Sequence, residues 1–218
     1  MARTLRTGVV VAAVVLAIFA AGLAAGALLQ RYDRDRGFVA EADRIAKVLE
    51  LAPGRNVGDI RAGTGRWSVD MARRVGPGGQ VYATVGPNPA HELIQTVAAA
   101  GVDNVSVITR TPAASPRLPL LCCEAVLVRA VYHEFADRRQ LLDSLRKNLK
   151  PGGRVALIDF DEGTPEHASG HGIARRIVLP EVVAAGFELE RVEPRWFGNA
   201  YCVLFRQPGL AEVAAPAP

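Results

Sequence analysis

Three groups of residues have types and spacings that could do chemistry. The first is the run Val57-Gly58-Asp59-Ile60-Arg61-Ala62-Gly63-Thr64-Gly65. An apolar strand pattern gives way there to closely spaced glycines, and a helical pattern follows. Glycine lets backbone pass close to a ligand, and a helix N-terminus offers unpaired N–H groups. A merely tight turn shows the same pattern. The second group is Tyr132 and His133, with Asp159 and Asp161 further on. A histidine with an ordinary pKa of about 6.5 can take a proton from an acceptor oxygen or nitrogen. The plainer alternatives are a histidine bonded to a loop carbonyl and solvated or helix-capping aspartates. The third group is His167 and His171 beside Glu166. An HxxxH pair on one helix face can bind metal, but Ser169, Gly170 and Gly172 argue against a helix. No metal site is assigned, and this segment reads as a loop over the substrate side.

The cysteines point elsewhere. Cys122, Cys123 and Cys202 are an odd number without CxxC spacing, so they give no disulfide framework. A bond between neighbours 122 and 123 requires a strained eight-membered ring. All three therefore read as small buried apolar side chains. Trp196 and Phe197 read as core, with an apolar acceptor wall as the alternative.

Elements must hold these groups in place. Strand patterns are expected at Asn56–Ile60, Gln80–Val85, Val105–Thr109, Ala125–Val128, Arg154–Phe160, Phe187–Glu193 and Tyr201–Phe205. Between them, helical periodicity covers Glu41–Leu51, Trp67–Val75, Pro89–Ala100, Arg138–Leu149 and Leu179–Ala185. This alternation predicts an α/β, Rossmann-like, doubly wound sheet with helices on both faces. The two closing strands are joined by a short Pro/Gly-containing link, which predicts an antiparallel hairpin. In such a sheet ligands sit beyond the carboxyl ends of the strands, where the strand order reverses.

The chain has 218 residues, is 50% apolar and 22% charged, and carries a net charge of +4. That composition excludes a disordered chain, a collagen-like repeat and a disulfide-stapled miniprotein. Its basic residues are scattered, which reads as a solvated surface, and no nucleic-acid partner is expected. Gly8 to Leu29 contains no charged residue, and 22 residues at about 1.5 Å each reach roughly 33 Å, enough to cross a bilayer. Three domains are assigned: 1–36 as a membrane anchor or signal segment with a linker, 37–206 as the globular domain, and 207–218 as a flexible tail. Arg3 and Arg6 precede the apolar run, and Arg31, Arg34 and Arg36 follow it, so the positive-inside rule nearly ties. The short basic start favours an uncleaved anchor with a periplasmic or other extracytoplasmic domain. A cytosolic face, or cleavage near Ala25-Gly26-Ala27, are the alternatives.

Several motifs carry a specific resemblance. Asp59 to Gly65 resembles the first motif of class I S-adenosylmethionine (SAM)-dependent methyltransferases, acidic-x-Gly-x-Gly-x-Gly. Pro116-Arg117-Leu118-Pro119, the segment Glu124 to Phe135, the segment Leu149 to Phe160, and Ala184-Ala185-Gly186-Phe187 are similar to later motifs of that family, in the right order over residues 40–206. The resemblance implies a seven-stranded sheet with the last strand antiparallel. It implies SAM as cofactor, with Asp59, Arg61, Ala62, Gly63, Gly65, Val85 and Arg129 at the cofactor. It also implies Tyr132 and His133 facing the methyl group and acceptor. Three positions depart from the family pattern. Arg61 replaces the first motif glycine, although its guanidinium could swing out and pair with the cofactor carboxylate. Val85 stands where an acid usually receives the ribose hydroxyls, a loss of about 1.5–3 kcal/mol or 10- to 100-fold in affinity. Residues 110–115 offer no acid near the adenine. Two readings follow: a membrane-anchored methyltransferase for a small or lipid-like acceptor, or a non-catalytic binding or scaffold domain that keeps the fold and is displayed outside the cytoplasm.

Overall fold

The computed structural model describes residues 23, 27, 30, 35–86, 90–109 and 116–209. The chain divides into two compact units, Met1–Asp43 and Arg44–Pro218. In the first, residues 35–43 are helical. The expected membrane-crossing segment 8–29 lies outside the described residues except at positions 23 and 27. Among the described residues no helix is long and apolar enough to cross a membrane. Residues 210–218 of the expected tail also lie outside the described ones.

The second unit opens with helical residues 44–48 (α1). It continues through β1 (Val57–Ile60), α2 (Arg66–Val75), β2 (Val81–Thr84), α3 (His91–Ala100), β3 (Val105–Ile108), β4 (Cys123–Arg129), a 3-10 turn at Tyr132–Glu134, α4 (Arg138–Asn148), β5 (Leu149–Phe160), α5 (Pro165–Ala168), α6 (Arg175–Ala184), β6 (Glu188–Glu193) and β7 (Ala200–Arg206). The strands form one seven-stranded sheet in the order β3-β2-β1-β4-β5-β7-β6. Neighbours from β3 across to β5 pair in parallel, and β7 runs antiparallel to both β5 and β6. The predicted architecture is therefore present, closing hairpin included.

Period-2 alternation explains how the sheet is covered on both faces. Val126, Val128, Val155, Leu157, Val203 and Phe205 point to a core completed by Leu141, Leu142 and Leu145 of α4 and Val178 and Val182 of α6. Their neighbours Ala125, Leu127, Ala156, Ile158, Cys202 and Leu204 point the other way, onto Ile45 and Val48 of α1 and Met71 and Val75 of α2. Arg44 ties α1 to the closing hairpin. Its guanidinium lies 4.2 Å from the Trp196 ring centroid, donates to the Trp196 carbonyl and pairs with Glu193. Trp196 is buried, as expected of core, whereas Phe197, also expected in the core, is exposed.

Three details differ from the sequence reading. β5 begins at Leu149, ahead of the Pro-Gly-Gly stop, because a bulge lets Cys123 pair with Leu149 and Ala125 with Arg154. α6 starts at Arg175 and runs through Pro180, whose missing N–H is offset by complete burial of Val178 and Val182 one turn apart. Cys122 and Cys123 are joined as a disulfide, their Cα atoms 3.7 Å apart, whereas the sequence reading had them as separate apolar thiols. Closing the eight-membered ring replaces two buried thiols with one apolar S–S group at the start of β4. Cys202 is a free, buried thiol as expected.

One buried side chain holds the end of the sheet opposite the strands' carboxyl ends. The Asn104 amide donates to the carbonyls of Ala72, Gly76 and Gly79 at 2.9, 2.8 and 3.3 Å, capping α2 and the turn that leads into β2. The Ala72 and Gly76 carbonyls also accept the N–H groups of Gly76 and Gly79, so alanine removes their second donor and the side-chain donor to Gly79, and Asn104→Ala is expected to cost about 1–3 kcal/mol in urea unfolding. Ligand affinity of the folded protein should stay unchanged. An equal loss of both would show that this end of the sheet communicates with the site.

Candidate functional site

The strand order reverses between β1 and β4, so the segments leaving them diverge and a crevice opens beyond their carboxyl ends. On the β1 side the chain passes through Arg61, Ala62 and Gly63 to Gly65, which precedes α2 in a left-handed conformation. The φ of 86° at Gly65 favours glycine, and an added Cβ would also press on a Leu93 methyl at 2.4 Å where α3 packs on this turn. A Cβ at Gly63 would meet nothing, so its side of the turn is open. The turn is pinned from β2: Arg61 N–H donates to Thr84 Oγ1 at 2.8 Å and Ala62 N–H to the Thr84 carbonyl at 2.8 Å.

Arg61 spans the crevice. Its backbone is left-handed, with φ of 53°, as a glycine's would be. The guanidinium lies 4.0 Å from the ring centroid of buried Phe135 and pairs with Glu134, both in the segment after β4. Its Nε is buried and has no hydrogen-bond partner among the described residues. A second bridge runs alongside, with Arg129 at the end of β4 stacked 4.7 Å from the Trp67 ring centroid of α2.

Asp59 is buried under the turn, where it accepts a 2.6 Å hydrogen bond from the Ser68 hydroxyl. Burial pushes its carboxyl up to about 6 from the ordinary 3.8, against the pull of the Ser68 bond and of the Arg129 charge. It therefore supports the turn from beneath. Val85, expected at the ribose, packs in an apolar cluster with Ala62, Ala83 and Leu93, and its N–H donates to the Ile108 carbonyl. Its side chain offers a ligand no polar group. The segment expected near the adenine, 110–115, lies outside the described residues.

On the β4–β5 side, His133 and Asp159 meet. The His133 Nδ1 is 3.1 Å from each Asp159 carboxylate oxygen, and the backbone N–H of His133 donates to the same carboxylate at 3.3 Å. Asp159 is fully buried, which corrects the expectation of a solvated or capping carboxylate. Its burial raises the carboxyl above its ordinary value, opposed by the hydrogen bonds from Phe160 and His133. A carboxylate on Nδ1 sets the imidazole as the Nδ1–H tautomer and leaves Nε2 as the proton acceptor. The His171 ring stands edge-on to His133, 6.3 Å between centroids. His171 follows a single helical turn, α5, started by Thr164 and Pro165 and finished at Ser169, so the HxxxH pair has no continuous helix. Among the described residues no cluster of ligands could hold a metal ion. Asp161 behaves as expected, accepting from the Arg175 N–H at the start of α6 and pairing with Arg175 at 2.7 Å.

Tyr132 is corrected by the structure. It was expected to face the acceptor, yet it is completely buried beneath the sheet, its hydroxyl donating to Glu181 at 2.8 Å. The 3-10 turn at 132–134 sends successive side chains in different directions: Tyr132 into the α4–α6 core, His133 to Asp159, Glu134 to Arg61. Sequence reasoning missed Glu134, Phe135, Thr84 and Trp67. Glu134 stands next to a candidate base, but nothing in the sequence ties it to an arginine 73 positions earlier.

A doubly wound sheet with a glycine turn at its switch point and a histidine–aspartate pair beside it is a Rossmann-like α/β arrangement, in which ligands sit at the switch point. Residues 58–157 match the methyltransferase domain family. The chain is 30% identical over 117 residues to a demethylmenaquinone methyltransferase of Listeria monocytogenes, covering 53% of this chain and 49% of that protein. It is 27% identical over 127 residues to a ubiquinone/menaquinone biosynthesis C-methyltransferase of Ralstonia pickettii, covering 55% and 51%. It thus spans about half the length of these relatives. A SAM-dependent methyltransferase structure from Aquifex aeolicus superposes with a TM-score of 0.67 at 22% identity, over 76% of this chain and 88% of that one. Residues 58–157 thus carry the methyltransferase domain match, and the fold around them is that of the SAM-dependent methyltransferase structure.

The raised Asp59 carboxyl makes a pH prediction. A group whose folded-state pKa lies above its unfolded value contributes stability below the ordinary 3.8 and loses it as pH rises through about 6. Asp59→Asn keeps an acceptor for Ser68 and carries no charge at any pH. Its stability relative to the native chain is expected to rise by about 2–3 kcal/mol between pH 4 and pH 7 in urea unfolding. A difference that does not change with pH would contradict the buried-carboxyl account.

Proposed function

We propose that this domain transfers the methyl group of SAM to a ring position of a small, lipophilic, quinol-type acceptor. The single observation that carries this reading is the His133–Asp159 pair beside the switch-point crevice. The nature of the acceptor is carried over from the two relatives.

The turn fits the cofactor in two respects. The Gly63 side of the turn is open, and the buried Arg61 Nε is a donor without a partner among the described residues. SAM supplies an electrophilic methyl group on a sulfonium sulfur. The protein's own part is to hold and move a proton. His133 Nε2 takes the proton that the acceptor releases as it gains the methyl group, and Asp159 stabilises the imidazolium so formed. The buried carboxylate also fixes the ring, so that Nε2 is presented in one orientation. Membrane attachment through residues 8–29 would keep such a domain where a lipophilic acceptor partitions. The exported orientation expected from the basic start is tested by a reporter fused after Pro218.

The alternative, a non-catalytic domain, rests on the departures at Arg61 and Val85. It is the poorer reading because the proton-handling pair, which a scaffold does not need, is complete. Incubation of the full chain with radiolabelled SAM and a reduced 1,4-naphthoquinone should give a labelled product. His133→Ala is expected to lower turnover by about 10²- to 10⁴-fold with SAM affinity preserved. An unchanged turnover in that variant would remove His133 from the mechanism, and failure of the native chain to bind SAM would sink the proposal.

A further inference from the structure

Arg61 has one feature that its visible partners leave unexplained. Its side chain is 9% exposed, yet its Nε donor is unused among the described residues. Glu134 is met through Nη1, the Phe135 ring covers a face, and Nε is buried without an acceptor among the described residues. A buried donor on a charged group is costly to leave unpaired, and native proteins rarely do so. The guanidinium fork is shaped to give Nε and one Nη to a single carboxylate side by side. Glu134 does not use the fork in that way, and it is itself 43% exposed. It is a partner that can leave for water at small cost.

Building on the SAM-binding reading above, we infer that Arg61 is the receptor for the carboxylate at the amino-acid end of the cofactor, and that Glu134 holds the guanidinium as a surrogate carboxylate until the ligand displaces it. The geometry fits that exchange. Arg61 belongs to the turn that would pass along the cofactor, its backbone is fixed by Thr84, and its side chain already crosses the crevice from β1 to the segment after β4. Displacing Glu134 releases that segment at a residue adjacent to His133, so cofactor binding and positioning of the base are coupled through one bond.

The test uses two ligands that differ at the amino-acid end. S-adenosylhomocysteine carries the carboxylate, and 5′-methylthioadenosine lacks the amino-acid group altogether. Both are titrated calorimetrically into the full chain, into Arg61→Gly and into Glu134→Gln. Arg61→Gly is expected to weaken S-adenosylhomocysteine about ten- to hundredfold and to leave 5′-methylthioadenosine within twofold. Glu134→Gln, an exposed change that leaves the fold intact, should tighten S-adenosylhomocysteine several-fold and leave the shorter ligand unaffected. Equal effects on both ligands, or tighter binding of both by Arg61→Gly, would overturn the receptor role and make Arg61 a plug. If the native chain binds neither ligand, the methyltransferase reading itself fails and the receptor role falls with it.

Discussion

Everything at the site follows from the reversal of strand order between β1 and β4. Right-handed crossovers carry the chain from β1 outward to β2 and β3, whereas β4 leads to β5 in the opposite direction. The two segments leaving β1 and β4 must therefore part. Backbone cannot fill the space between them, and only side chains or a ligand can. In this chain two arginines do the filling, Arg61 reaching to Glu134 and Phe135, and Arg129 to Trp67. Both put a cation on an aromatic ring, an arrangement that tolerates partial burial because the ring replaces some of the lost hydration.

Two buried carboxylates set the stiffness of the crevice walls. Asp59 lies beneath the β1 turn and Asp159 beneath the β4 segment, each with a raised carboxyl. Burying them costs stability that an apolar pair would not. The return is positional: Ser68 is locked to one wall and His133 to the other. The cost of fully buried carboxylates falls at the functional end of the sheet, while at the opposite end Asn104 bonds as a neutral group and the charged pairs Lys150–Glu124 and Arg154–Glu50 are partly exposed. That division matches the general pattern in which strain and buried polarity gather where the chemistry is.

The sheet and its helices were legible in the sequence because their cause is local. Alternation along Ala125–Val128, Val155–Ile158 and Tyr201–Phe205 sends neighbours to opposite cores, and each strand announces itself. Boundaries were less legible where a tertiary contact overrides local signals. Lys150 to Gly153 reads as a stop but stays in β5 because a bulge lets it remain paired, and the helix expected from Leu179 instead begins at Arg175 and holds Pro180 inside it, with Val178 and Val182 buried. The site was legible only in part. The motif turn and His133 could be found from residue type, whereas the burial of Tyr132, the Asp159 partner of His133 and the Cys122–Cys123 bond depend on directions that a three-residue turn or a neighbouring strand sets.

The replacement of the motif glycine at position 61 is the hardest feature to read from sequence, because glycine there has two separable roles. One is conformational: the position needs a left-handed backbone. The other is spatial: a hydrogen in place of a side chain leaves room for a ligand. Arg61 keeps the first role, with φ of 53° and its N–H still on Thr84, although a non-glycine residue held there costs about 1–3 kcal/mol. Simple decay of an unused turn would relax that backbone, since nothing would then reward the strain. Here the side chain that creates the strain also offsets it, through the Glu134 pair and the Phe135 ring. The second role has been changed, and the space is now charged. A position that keeps a strained backbone and aims a buried, half-partnered cation into the ligand crevice is better explained by an altered way of holding an anionic group than by a site left to drift.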